Sequence, residues 1–214
     1  MTIKVKICGV KSINHAKACI EGKAAMIGLM FYQKSPRFIS LEKAKKISNY
    51  AKKKIKRVGI VANMSIEEIK NIIKRVDLDY LQFHGNESAK FLINVRKLYK
   101  VKIIKALKIK NKNDIKKVHN YKKISDYILL DTKIVNNSSF DFKKKSKKLN
   151  WDMLNKIKDK HKLILSGAIN INNLKEAINN SKIKFVDVSS SLELKTGNKS
   201  IKKINNFLKL AIKL

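Results

Sequence analysis

Eight short apolar runs recur along the chain, each followed by a longer amphipathic stretch, and this alternation constrains the fold more than any other feature. The runs are Ile3–Cys8, Met26–Phe31, Arg57–Ala62, Leu78–Phe83, Val101–Ala106, Tyr127–Asp131, Leu163–Ser166 and Phe185–Val188. They are rich in Ile, Val, Leu and Phe, and several are apolar on both faces, as in a covered parallel sheet. Between them lie helical patterns. Ile13–Ile20 follows the first run, and Leu41–Ala51 opens behind Ser40 as N-cap. Ser65 with Glu68 forms a capping box ahead of an Ile66, Ile69, Ile72, Ile73 stripe. Asn86–Leu98, Ile115–Tyr121, Trp151–Ile157, Leu174–Ile178 and Ser200–Ile212 continue the series.

Strands alternating with helices imply right-handed crossovers and a parallel sheet. Eight units in 214 residues leave about 27 residues each. That fits an α/β chain folded as one (β/α)8 barrel domain over residues 1–214. An open doubly wound sheet is the alternative, because the pattern does not reveal closure. The one irregular stretch is Thr132–Lys148, polar, Lys-rich and too long for a plain strand-to-helix turn. It reads either as a functional loop over the barrel mouth or as slack, with the functional reading slightly favoured.

The formal charge of +34 invites a nucleic-acid reading. Of the 50 basic residues, however, only Arg37, Arg57, Arg75 and Arg96 are arginines. Bidentate base and phosphate contacts favour Arg, and the lysines run through nearly every segment rather than clustering. A solvated surface in a compositionally biased chain is the better reading, and nucleic acid is not expected as a partner. Two cysteines cannot build a disulfide framework, which points to a reducing, cytoplasmic setting. No apolar run is long enough to span a membrane and no signal-peptide pattern opens the chain. The four histidines lie in separate units without ligand spacing, so no metal site is expected.

In a barrel of this kind, chemistry sits where strands end and the following loops begin. That rule selects Cys8 at the end of the first strand. It selects Gln82 and His84, two apart and so on one face at the end of the fourth. It also selects Asp131 ending the sixth, Asp187 in the eighth, and Arg37 in the loop after the second. Taken singly, each has an ordinary structural alternative: a buried small thiol, a turn-capping carboxylate, a loop histidine, a surface arginine. Cys19, at an apolar-periodic helical position, reads as core.

These residues and their flanks resemble the phosphoribosylanthranilate isomerase family. Lys6-Ile7-Cys8-Gly9 is similar to the family's opening K-I-C-G, and Ser35-Pro36-Arg37 to its S-P-R. Val58-Gly59-Ile60-Val61-Ala62-Asn63 resembles V-G-V-F-x-N, and Leu81-Gln82-Phe83-His84-Gly85-Asn86-Glu87 resembles Q-L-H-G-x-E. Leu129-Leu130-Asp131 matches L-L-D, and Asp187-Val188-Ser189-Ser190 matches D-V-S-S. The six stand in order along nearly the whole chain.

The resemblance implies a cofactor-free Amadori rearrangement, the third step of tryptophan synthesis from chorismate. N-(5-phosphoribosyl)anthranilate, a phosphosugar carrying an anthranilate group, would become 1-(2-carboxyphenylamino)-1-deoxyribulose 5-phosphate. By that likeness Asp131 is the general acid, Cys8 the general base and Arg37 the carboxylate clamp. Gln82, His84 and Asp187 would line the substrate site. Phosphate would sit on backbone N–H groups near Gly167, Ala168, Ser189 and Ser190. The family includes monomers and dimers, so either state is expected. The chain departs from the family's pattern in several loops. Lys143–Lys148 stands where glycines are usual, Ser166-Gly167-Ala168 replaces G-G-L, Ser191 replaces Gly, and Lys11 replaces Thr.

Overall fold

The computed structural model describes residues 2–132 and 151–214. Eight parallel strands close into a barrel in chain order: β1 Lys4–Cys8, β2 Met26–Met30, β3 Lys56–Val61, β4 Tyr80–Phe83, β5 Lys102–Lys108, β6 Tyr127–Asp131, β7 Leu163–Ser166 and β8 Phe185–Val188. Closure is carried by β1 against β8, with Lys4 opposite Phe185 and Ile7 opposite Val188. The barrel is therefore shut, and the open-sheet alternative is excluded. The eight apolar runs of the sequence are the eight staves.

Seven α-helices cover the outside: α1 Ile13–Glu21, α2 Leu41–Ala51, α3 Ile66–Arg75, α4 Ala89–Tyr99, α5 Lys112–Lys122, α6 Leu174–Ser181 and α7 Ile201–Lys213. Their starts follow capping chemistry. Ser12, Ser40, Ser65, Ser88 and Ser200 each accept a backbone N–H at an N-terminus, and Ser65–Glu68 and Asn111–Asp114 form complete capping boxes.

Two expectations are corrected. The pattern Trp151–Ile157 does not form an α-helix; Trp151–Lys156 is a 3-10 stretch. Its buried residues are Trp151, Leu154 and Ile157, a strict spacing of three, which suits three residues per turn rather than 3.6. The sixth unit thus lacks an α-helix among the described residues. The pattern beginning at Asn86 starts its helix only at Ala89. Asn86 and Glu87 are diverted into the preceding loop, where the Asn86 N–H donates to Asn63 Oδ1 and Glu87 takes up Lys105. The irregular stretch read as Thr132–Lys148 lies, beyond Thr132, outside the described residues.

Two apolar layers hold the fold. The larger lies between barrel and helices and includes Ile7, Ile27, Leu81, Ile103 and Leu130 of the strands with Ile69, Leu92, Phe207 and Leu208 of the helices. The smaller fills the barrel itself: Met26, Val58, Tyr80, Ile104, Ala106, Leu129, Ile164 and Phe185. Tyr127 packs edge-on against Phe185 at 5.4 Å between centroids and closes the lower end. Side chains alternate along a strand, so the residue two places further on faces inward again, one layer higher. In four strands that step turns polar: Tyr80 to Gln82, Leu129 to Asp131, Ile164 to Ser166, Phe185 to Asp187. The interior is apolar below and polar at the C-terminal mouth.

Candidate active site

Cys8 ends β1 at the mouth and is buried, as is Cys19, which sits in the helix–barrel layer as the sequence pattern predicts. Two residues before Cys8, on the same face, Lys6 is fully enclosed. Its ammonium donates to Asp187 Oδ1 at 2.7 Å, and Ser166 Oγ lies 3.1 Å from Asp187 Oδ2. Asp187 thus faces a lysine and a serine rather than open space. Burial is the largest single influence on Lys6 and would lower its pKa, but Asp187 and then Cys8 together outweigh it and the net shift is upward.

Burial pushes the Cys8 thiol above its ordinary value. Lys6, Lys199 and Arg37 pull it down, while Asp187 pushes it up. The thiolate is therefore expensive here, and the positive groups around it partly offset the cost.

Arg37 crosses over Gly9 to reach the mouth. Gly9 has φ +79, and a Cβ there would stand 2.8 Å from Arg37 Cδ, so both the backbone conformation and the close approach require glycine. The Arg37 fork is engaged by Glu193 in a bidentate pair, Nε to Oε1 at 2.7 Å and Nη2 to Oε2 at 2.8 Å. Lys199 Nζ donates to the same Oε1 at 2.6 Å and also reaches the backbone oxygen of Ser189 at 3.2 Å. Burial would raise the Glu193 carboxyl, but hydrogen bonds from Arg37 and Lys199 and their charges hold it down at about 2. Burial lowers Lys199 despite Glu193.

Glu193 and Lys199 belong to a hairpin absent from the sequence reading, β9 Glu193–Lys195 and β10 Asn198–Lys199. Thr196-Gly197 turns it, with Gly197 at φ +82. A two-residue turn carrying Gly between short flanks was the signal available for it.

Across the mouth, Gln82 is fully buried and its Nε2 lies 3.1 Å from His84 Nδ1. His84 Nε2 lies 3.5 Å from Asp131 Oδ2, so Gln82 of β4, His84 just after it and Asp131 of β6 form one group. A second enclosed ion pair supports the His84 loop from below. Lys105 Nζ donates to Glu87 Oε2 at 2.8 Å and to the Gly85 carbonyl at 2.7 Å. Glu87 in turn accepts from the Asn63 N–H at 2.8 Å. Lys105 did not stand out in the sequence, and Glu87 entered only as the last residue of the Q-L-H-G-x-E likeness.

Gly167 and Ala168 follow β7 with φ of 102 and 56, two successive left-handed residues. Ser189 and Ser190 follow β8, where Ser190–Leu192 make a single 3-10 turn. Ser191 Oγ donates to the Ile169 carbonyl at 2.7 Å and ties the two loops together. Ser189 Oγ donates to the Cys8 carbonyl at 3.1 Å. These loops flank the thiol rather than lying apart from it.

The mouth thus brings together a thiol among cations, a carboxyl beside a histidine, an arginine and turn backbone after β7 and β8. Among the described residues no cluster of His, Cys, Asp and Glu is suited to hold a metal, and no helix is long and apolar enough to cross a membrane.

Residues 5–210 match the family described as N-(5'phosphoribosyl)anthranilate (PRA) isomerase. A relative from Thermotoga neapolitana named N-(5'-phosphoribosyl)anthranilate isomerase is 34% identical over 210 residues, covering 98% of each chain. One of the same name from Rhizobium rhizogenes is 31% identical over 215 residues, covering 97% of this chain and 93% of its own. Among solved structures, phosphoribosyl anthranilate isomerase of Thermotoga maritima superposes with a TM-score of 0.84 at 32% identity, over 99% of this chain and 100% of that one. A phosphoribosyl anthranilate isomerase crystallised with reduced 1-(o-carboxyphenylamino)-1-deoxyribulose 5-phosphate also gives 0.84, at 31% identity and the same coverage. The barrel, its order of strand-end motifs and these likenesses agree, and the chain belongs to the phosphoribosylanthranilate isomerase family, isomerases of tryptophan biosynthesis.

Proposed function

We propose that the protein converts N-(5-phosphoribosyl)anthranilate to 1-(2-carboxyphenylamino)-1-deoxyribulose 5-phosphate without a cofactor, with Asp131 as general acid and Cys8 as general base. The observation that carries this reading is the placement of both groups at strand ends of one barrel mouth, in a chain of this family. Asp131 gives its proton to the ribose ring oxygen, and the C1′–O bond breaks to leave a protonated Schiff base. The Cys8 thiolate then removes the C2′ proton. The electron pair moves to the C1′–C2′ bond and neutralises the iminium nitrogen. The resulting enolamine is an isomer of the substrate and tautomerises to the ketone.

The electrostatics around the thiol suit that order. The thiol resists ionising until cationic charge arrives, and the Schiff base is such a charge. Asp131 acts beside His84, with Gln82 behind it. Arg37 takes the anthranilate carboxylate on its Nη1 side, while Glu193 holds the Nε–Nη2 edge and sets the plane of the fork. The phosphate lies on the loops after β7 and β8, on N–H groups of Gly167, Ala168, Ser189 and Ser190, with Asp187 and Lys6 forming the floor. Two thiols with no disulfide partner support a cytoplasmic setting.

The test is loss of anthranilate-adduct fluorescence under steady-state conditions. A positioned acid or base contributes about 10²–10⁴-fold, so Cys8→Ala and Asp131→Asn are each expected to cut kcat by that range with thermal unfolding unchanged. Near-wild-type turnover in either purified variant would remove that residue from its role.

A further inference from the structure

Lys6 is among the largest fully buried side chains of the described residues, and the mechanism above gives it no step. A lysine is enclosed only where a fixed partner holds its charge, and apolar packing would usually serve stability as well. Its placement therefore asks for a functional reason. Lys6 precedes Cys8 by two residues on β1, so both side chains leave the strand on one face. Across the barrel wall, the position that a Gly28 Cβ would occupy is 3.3 Å from Lys6 Nζ and 3.2 Å from Cys8 Cα. The missing side chain at Gly28 opens the space that the ammonium fills, directly beside Cys8. On the other flank Asp187 Oδ1 accepts at 2.7 Å, and Ser166 lies against the second carboxylate oxygen.

We propose that Lys6 is a positioning residue whose fixed ammonium eases ionisation of the Cys8 thiol, with Asp187 anchoring that ammonium in place. The inference rests on the reading of Cys8 as the base. Four charged groups act on the thiol: Lys6 from its own strand, Arg37 from the loop after β2, Asp187 from β8 and Lys199 from β10. Arg37 and Lys199 are both committed to Glu193. Lys6 is the strongest of the three cations on the thiol, and its pull exceeds the opposing push of Asp187. Lys6 itself stays charged because Asp187 and Cys8 together more than offset its burial, each by its charge and by a hydrogen bond.

The experiment follows iodoacetamide labelling of Cys8 against pH in the full chain without substrate, read by the mass of the Cys8 peptide. Cys19 is an internal control, since burial holds its thiol up at about 12. Lys6→Met is expected to raise the labelling midpoint by about one pH unit or more and to move the rising limb of the kcat/KM profile with it. Lys6→Met with Asp187→Asn removes both charges, so it also suits the case in which Lys6→Met alone fails to fold. Its midpoint is expected above wild type but below that of Lys6→Met. A midpoint at or below wild type in either folded variant overturns the proposal. An unmoved midpoint together with an inactive Cys8→Ala variant overturns this inference alone. An active Cys8→Ala variant overturns the assignment of the base, while the labelling shift still reports on Lys6.

Discussion

Ala168 carries a left-handed backbone, φ 56, immediately after Gly167. A Cβ in that region costs about 1–2 kcal/mol, and glycine avoids the cost while adding some freedom to the unfolded chain. Ala168→Gly is accordingly expected to stabilise the protein by about 0.5–1 kcal/mol, seen as a higher urea midpoint at unchanged slope. No gain would mean that the loop has relaxed around the methyl group. Residues of this kind separate what a sequence displays from what it hides. Cys8 and Asp131 were legible because each closes an apolar run, and Asp187 because it interrupts one, where the inward face turns polar. Lys6 was not. It opens the K-I-C-G likeness, but with lysine in nearly every segment its type gave no signal of a role, and enclosure inside the barrel is what marks it.

Among elements, the β9–β10 hairpin does more than its length suggests. It supplies Glu193, which joins Arg37 to Lys199, so the orientation of the arginine depends on a segment 156 residues away in the chain. The Glu193 carboxyl lies at about 2 in the folded protein against an ordinary 4.5. A depressed carboxyl adds stability that is fully present above its unfolded value and is lost as pH falls through its folded value. Glu193→Gln is therefore expected to cost a few kcal/mol at neutral pH, with the deficit shrinking below about pH 4.5 and closing near pH 2. Paired denaturation curves across that range check it. A deficit constant with pH would assign the loss to packing instead. Because Arg37 would lose its brace, KM is expected to rise more than kcat falls. The Trp151–Lys156 stretch teaches the converse lesson. A helical apolar pattern was read there, yet a spacing of three selected the tighter helix.

For the whole molecule, the charge of +34 is a property of the surface more than of the site. Within the mouth, Lys6, Arg37 and Lys199 are matched against Asp187 and Glu193, leaving a small local excess. The long-range field comes from exposed lysines, and such fields raise the capture rate of anions in a salt-dependent way. The proposed substrate bears a phosphate and a carboxylate. Its kcat/KM is expected to fall as salt rises from about 0.01 to 1 M, over which the screening length shrinks from about 30 to 3 Å. The kcat itself should move little. A kcat/KM indifferent to salt would show that the lysines only solvate the surface.

The sequence by itself determined the eight staves, most of the helix starts and the polar residues that close the strands. These follow from local rules: period-two and helical apolar spacing, side-chain capping, and the parity that makes residues two apart share a face. What only the tertiary structure decided is which of those groups meet. Closure of β1 onto β8 sets Lys6 against Asp187, and the hairpin sets Glu193 against Arg37. Both pairings join residues more than 150 positions apart. Pairings at that range are selected by the barrel's register and by the desolvation of charge inside it, and no local pattern encodes either.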